Sequence, residues 1–168
     1  MGALSDDADR LEAAASAIVA LRPRVEAEAP WPLAELYGPE PEASWGPNEL
    51  LAHVEEYLPY WLGEIERVLA GDPATAVPFG RIASDPVRIG VIGRDRTVPL
   101  RELFARIDVE APRVAGRLRE LGEADANRRG LHPTRGELTV REMLEPFLVG
   151  HTEGHVAQLQ EILAAAGR

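Results

Sequence analysis

His151 and His155 stand four residues apart in the segment Gly150-His151-Thr152-Glu153-Gly154-His155. On a helix that spacing stacks two imidazoles one turn apart, close enough for their ring nitrogens to reach one ion. Val140, Leu144, Phe147, Leu148, Leu159 and Ile162 centre the apolar stripe of the same segment. A helix advances about 100° per residue, so with Val140 as origin His151 falls at about 20° and His155 at about 60°. Both rings therefore face the expected core. Polar groups buried without partners cost on the order of 1–3 kcal/mol each, so something must satisfy them. A shared divalent metal with a third ligand from a facing helix would do so. Hydrogen bonding within the core would serve equally, as would pairing with a buried acid such as Glu56 or Glu145.

His53 is the natural third ligand. It sits on the flank of an earlier helical stripe, beside Tyr57 and Tyr60. Three neutral imidazoles leave an open coordination position, the arrangement of a catalytic metal. The zinc-protease pattern HExxH is excluded, because Glu153 comes one position late and lies about 200° round the helix from His151. The chain has no cysteine, so thiolate sites and disulfides are excluded as well. Any metal must take His and carboxylate ligands.

Other side chains carry weaker signals. His132, just before Pro133, reads first as a turn residue and second as a substrate contact. Tyr57 and Tyr60 suit packing or substrate contact. Arg81, Arg88, Arg94 and Arg96 crowd one connection, and Arg94 is a candidate for steering an anionic substrate. Gly150 and Gly154, four apart near the histidine face, suggest close approach of another helix, from this chain or from a partner copy.

The formal charge of −10 argues against nucleic acid as a partner. All 18 basic residues are Arg, which removes lysine bases and Schiff-base chemistry. Rich use of Ala, Gly, Pro and Arg fits a high-GC bacterial genome. The N-terminus lacks a basic region followed by an apolar run, and no stretch approaches the roughly 20 apolar residues that span a membrane. The expectation is a cytoplasmic protein with one domain over residues 1–168.

Four segments of helical period must position the histidines. The first covers about 5–28, with Leu4, Leu11, Ile18 and Val25 seven apart and a kink expected at Pro23. A Pro-rich connector covers 29–43. The second helix runs from near Ser44 to Ala70, with Trp45 as a staple at its start and a kink expected at Pro59. Residues 71–98 form a long connection with one apolar patch, 89–92. The third helix spans about 99–121, and a turn carries Leu131-His132-Pro133. The fourth runs from Thr139, an N-cap with Glu142 at the capping-box position, to Ala166. This predicts an all-α, antiparallel four-helix bundle with a long crossover between helices 2 and 3.

The segment Trp45-Gly46-Pro47-Asn48-Glu49-Leu50-Leu51-Ala52-His53-Val54-Glu55 resembles the second-helix signature of the DinB/YfiT-like superfamily. Gly150-His151-Thr152-Glu153-Gly154-His155-Val156-Ala157-Gln158-Leu159 is similar to its closing helix. Leu131-His132-Pro133 with Gly136-Glu137-Leu138-Thr139 resembles the lead-in to that helix. The resemblance implies a four-helix bundle, often dimeric, with His53, His151 and His155 as ligands of a divalent ion such as Zn²⁺ or Ni²⁺. It further implies a hydrolase, or an enzyme that uses a low-molecular-weight thiol, acting on a small molecule. The alternative is a non-catalytic metal-binding or stress-related bundle.

Overall fold

A computed structural model describes residues 2–38 and 41–167. Pro39 and Glu40 of the Pro-rich connector, with Met1 and Arg168, lie outside the described residues. The fold is a four-helix bundle carrying a small three-stranded sheet at its edge.

The first bundle helix is α1 (Ser5–Ala20), continued after a break at Leu21 by α2 (Arg22–Ala27). Pro23 lies in the first turn of α2, where its missing N–H costs nothing, so the sequence ends one helix and starts another rather than kinking a single one. The second is α3 (Pro47–Ala70), which is helical throughout across Pro59. A 3₁₀ turn, Pro41–Ser44, precedes it. Glu49, fully buried, fixes the entry to α3: its Oε1 accepts from the Ala34 N–H at 3.0 Å and its Oε2 from the Gly46 N–H at 3.3 Å. Arg96 pairs with the same carboxylate at 3.2 Å.

The connection from α3 to the third bundle helix is more ordered than its composition suggests. It holds β1 (Val77–Pro78) and α4 (Pro86–Asp95). The apolar patch at 89–92 belongs to α4, whose start is set by Asp85 accepting the Arg88 N–H at 2.9 Å and by Pro86 in the first turn. The third bundle helix, α5 (Leu100–Glu120), buries Leu103, Phe104, Ile107, Ala111, Val114, Ala115 and Leu118 on one face. The short α6 (Glu123–Ala126) follows.

The expected turn at 131–133 is instead part of a hairpin of β2 (Arg129–His132) and β3 (Gly136–Thr139), with β1 pairing parallel to β2. Four-residue strands are too short for alternation to register against the surrounding turn residues. The fourth bundle helix divides at Leu148 into α7 (Val140–Phe147) and α8 (Val149–Ala166). Thr139 caps α7 with Glu142 in a capping box, as expected.

In the bundle α1 packs against α5 and α8, and α3 packs against the same two. Consecutive long helices, α1 and α3, therefore stand at opposite corners, and α3 and α8 meet at the corner where the histidines lie. No helix among the described residues is long and apolar enough to cross a membrane.

Candidate metal centre

Three helical positions bring the histidines together. His53 is buried on α3 between Val54 and Ala52, and His151 and His155 lie one turn apart on α8. His53 Nε2 is 2.9 Å from His151 Nε2, which is 3.2 Å from His155 Nε2. Nitrogens bound to one ion at 2.0–2.1 Å in a tetrahedral arrangement stand roughly 3.3 Å apart, so His151 already stands at about the spacing from each of the other two rings that a shared ion requires. The Glu42 carboxylate joins them: one ligand atom from each of Glu42, His53, His151 and His155 lies within 4.8 Å of every other.

The hydrogen bonds around the rings fix which nitrogens carry protons. Gln158 Nε2 donates to the Glu42 carbonyl at 2.7 Å, which turns Gln158 Oε1 toward His155 Nδ1 at 3.0 Å. His155 Nδ1 must then carry the proton, leaving a lone pair on Nε2. His53 Nε2 faces an Arg88 guanidinium nitrogen at 3.4 Å, an obligate donor, so it too presents a lone pair. A single proton on His151 Nε2 serves only one of these two acceptors. Converging lone pairs of this kind fit a cation, and the remaining hydrogen bonds hold the rings in place as outer partners of metal ligands do.

Electrostatics agree with the geometry. Burial holds His53 well below its ordinary pKa, with the neighbouring His155 and Arg88 adding to it. Burial, with His155, Arg88 and Arg135, lowers His151 to about 3. Burial also lowers His155, against the opposing hydrogen bond to Gln158. All three rings are neutral at pH 7, the state in which imidazole binds metal.

A cavity of about 430 Å³ opens beside His53 and His151. One wall is aromatic: Trp61 stacks on Phe147 at 4.2 Å between centroids, and Phe147 on His132 at 5.0 Å. Arg81, Arg88 and Arg135 line it, with Glu42 as its one acid among the described residues. His132 Nδ1 accepts from the Thr134 and Arg135 backbone N–H groups, both at 3.3 Å, which turns the imidazole edge into the cavity wall. Burial lowers its pKa. Gly80, at φ +82°, is required here, since a Cβ at that position would lie 2.5 Å from the His132 ring.

Tyr57, Tyr60, Arg94 and Arg96 do not line the cavity. Tyr57 is fully buried, its ring 4.9 Å from those of His53 and His151, and its hydroxyl is 2.7 Å from Thr152 Oγ1. Thr152 donates to the Leu148 carbonyl at 2.6 Å, so Tyr57 is the donor of the pair and clamps α3 to α8 below the histidines. Tyr60 lies outside the cavity lining under the Arg81 guanidinium, 3.6 Å from its ring centroid. Arg94 is an exposed partner of its neighbour Asp95, at 2.6 Å, and does not line the cavity. Arg96 is held by Glu49. The two acids weighed as partners for the histidines are committed to arginines: Glu56 to Arg81 at 2.5 Å, and Glu145 to Arg10 at 3.1 Å. Arg10 also holds Glu153 on the outer face of α8. A Cβ on Gly150 would lie 2.8 Å from the Glu145 carbonyl at the α7–α8 break, whereas one on Gly154 would meet nothing within 4 Å.

Glu42, Gln158 and Arg135 are the candidate site residues that the sequence reading did not single out, whereas Arg88 stood in the arginine cluster of the long connection. Glu42 sits in the Pro-rich connector, where no repeat marks it, and Gln158 entered only within the closing-helix segment that carries the family resemblance.

A family model described as the DinB superfamily matches residues 7–159. Among solved structures the chain is similar to one described as "YfiT from Bacillus subtilis is a probable metal-dependent hydrolase with an unusual four-helix bundle topology". The TM-score is 0.71 at 18% identity, covering 96% of this chain and 86% of that one. At that identity the likeness bears on the fold. Comparison with curated proteins gives no significant match.

Proposed function

The chain belongs to the DinB superfamily, and from that premise we propose that it is a metal-dependent enzyme acting on a small molecule. His53, His151 and His155 hold one divalent ion, Zn²⁺ or Ni²⁺, and the reaction is hydrolysis or transfer to a low-molecular-weight thiol. The observation that carries the reading is the convergence of three neutral ring nitrogens, at 2.9 and 3.2 Å, beside an open cavity. The description of YfiT as a probable metal-dependent hydrolase supports the same reaction class.

A divalent ion there supplies Lewis acidity and lowers the pKa of a bound water or thiol toward neutrality. The protein's own groups do the rest. Glu42 is the acid grouped with the histidines among the described residues, and it accepts the proton that the nucleophile gives up. Arg88 orients it, through an ion pair between its guanidinium and Glu42 Oε1. Gln158 holds the Glu42 backbone and the His155 ring together, so ligand and proton acceptor keep a fixed relation. Trp61 and Phe147 exclude water from one side of the cavity. The same reading has the protein in the cytoplasm as a homodimer.

The test is metal content. Purified wild-type protein is expected to contain, or after chelation to take up, about one equivalent of Zn²⁺ or Ni²⁺ per chain, and His151→Ala to lose it. Wild-type protein that takes up neither ion would overturn the reading. Hydrolysis of activated esters, set against thiol addition to an electrophile, separates the two reaction classes.

A further inference from the structure

The cavity has an unusual charge for its host. The protein carries a formal charge of −10, yet among the described residues the charged side chains lining the cavity are three arginines and one glutamate. Two of those arginines are occupied. Arg81 is bound by both oxygens of Glu56, at 2.5 and 2.6 Å. Arg88 is bound by Glu42 and by the Ala83 carbonyl at 2.7 Å. Arg135 makes no ion pair or side-chain hydrogen bond among the described residues. Its guanidinium stands 5.4 Å from the centroid of the Phe147 ring, at the edge of the aromatic wall. It lines the same cavity as His132 and His151.

Arg135 occupies the tip of the β2–β3 hairpin, between His132 and Gly136. The His132 ring holds that tip by accepting the Thr134 and Arg135 N–H groups. The cation is therefore carried by a fixed turn, not by a free loop. An unpaired guanidinium at the mouth of a cavity with low-dielectric aromatic walls attracts anions and pairs with planar oxyanions in two-point fashion.

We propose that Arg135 is the anchor for an anionic substrate: a small organic acid, carboxylate or phosphate, whose planar apolar part lies on Phe147 and Trp61 while its reactive end points toward His53 and His151. The proposal rests on the reading of this cavity as a substrate site, but not on the presence of the metal. Arg81 and Arg88 are not the anchors, because each charge already has a carboxylate counter-ion, Glu56 for Arg81 and Glu42 for Arg88.

The experiment uses phenylacetate, phenyl phosphate and the neutral phenylacetamide as probes, with Trp61 as a fluorescent reporter and chemical-shift mapping of Phe147 as a second readout. Each is titrated into chelated and into Zn²⁺-loaded protein. Either anion is expected to bind at least about tenfold more tightly than the amide, since a charge-assisted pair is lost with the amide. Arg135→Gln is expected to remove that preference without changing amide binding, and Arg135→Lys to restore part of it. Added salt is expected to weaken anion binding alone. The carboxylate and phosphate arms distinguish the two sources of the anion.

Equal binding of acid and amide, no binding of any probe at millimolar concentration, or an unchanged preference in Arg135→Gln would each overturn the proposal. So would an acid that binds only to Zn²⁺-loaded protein regardless of Arg135, since the anion would then sit on the metal. Arg135 is exposed, so its replacement leaves the fold intact, and Arg101→Gln, at an exposed position outside the cavity lining, controls for net charge. Protein that takes up no metal but keeps the Arg135-dependent preference would sink the metalloenzyme reading and leave this one standing.

Discussion

An Arg88 guanidinium nitrogen lies 3.4 Å from Nε2 of His53, the same ring nitrogen that faces His151. A fixed positive charge thus stands beside the ring nitrogens that would receive a divalent cation, and it is almost wholly buried, with its side chain 6% exposed. Two cations at such range repel by a few kcal/mol at an effective dielectric constant of about 20. Arg88→Gln is therefore expected to tighten Zn²⁺ binding by about tenfold or more, read by competition against a chromophoric chelator. Weaker binding in this variant would mean that Arg88 matters more for placing Glu42 than for its charge at His53.

Gln158 fixes the His155 tautomer from outside the ligand cluster. Replacing such an outer partner typically costs 10–100-fold in metal affinity, so Gln158→Ala is expected to lose roughly that much. The melting temperature of the chelated protein should hardly move, because Gln158 is only half-buried and contributes little packing. Gln158→Glu keeps an acceptor for His155 Nδ1 and should recover most of the affinity. A loss confined to stability would assign Gln158 a packing role instead.

The three rings also predict a pH response of the chelated protein. An unfolded histidine titrates near 6.5, whereas burial holds His53 and His155 below that value in the fold and His151 at about 3. Between those limits the unfolded chain binds more protons than the native one, so stability rises with pH. The stability is complete above pH 6.5 and is lost as pH falls toward the folded-state values. Urea unfolding midpoints measured from pH 7.5 down to 4.5 should fall steadily, and His151→Gln should show a shallower slope. A flat profile through this range would show that the rings take up protons in the native state.

Tyr57 and Thr152 test the clamp beneath the site. Tyr57→Phe removes one buried hydrogen bond while Thr152 keeps its bond to Leu148, so the loss is expected to be about 1 kcal/mol. Denaturant unfolding reads it directly. Metal affinity should be unchanged within about threefold, because the hydroxyl touches no histidine nitrogen.

Much of the scaffold was legible because long helices repeat. The stripes through Leu50, Val54, Leu58 and Trp61, and through Leu103, Ile107, Val114 and Leu118, are buried as their spacing requires. His151 and His155 were legible for the same reason, since a helical angle places them without knowledge of any other element. His53 was harder: its position on a flank gave a direction but not a partner, and the meeting of α3 with α8 depends on the bundle's corner arrangement. The β2–β3 hairpin and α4 were missed because they are set by local devices, a short turn and the Asp85–Pro86 cap, rather than by a period. Arg135 and Glu42 belong to such segments and were hidden, whereas Arg81, Arg88 and His132 were visible as residue types without a place in the cavity.

Glu42 is the sharpest case, because its role depends on two residues distant in sequence. Its carboxylate is bound by Arg88, and its carbonyl by Gln158. Glu42→Gln removes a negative charge near the histidines and frees Arg88 from its counter-ion, so both effects disfavour a cation there. Metal affinity is expected to fall by about tenfold or more. In the Arg88→Gln background only the first effect remains, so the same replacement should cost less. A double-mutant cycle on Zn²⁺ affinity is therefore expected to give a coupling of about 0.5–3 kcal/mol between the two positions. If Glu42 acts on the metal site independently of Arg88, the two changes will add and the coupling will vanish. Esterase or thiol-addition rates at saturating metal separate the proton-acceptor role from affinity: Glu42→Gln should lower kcat even when fully loaded, whereas Gln158→Ala should recover once metal is in excess.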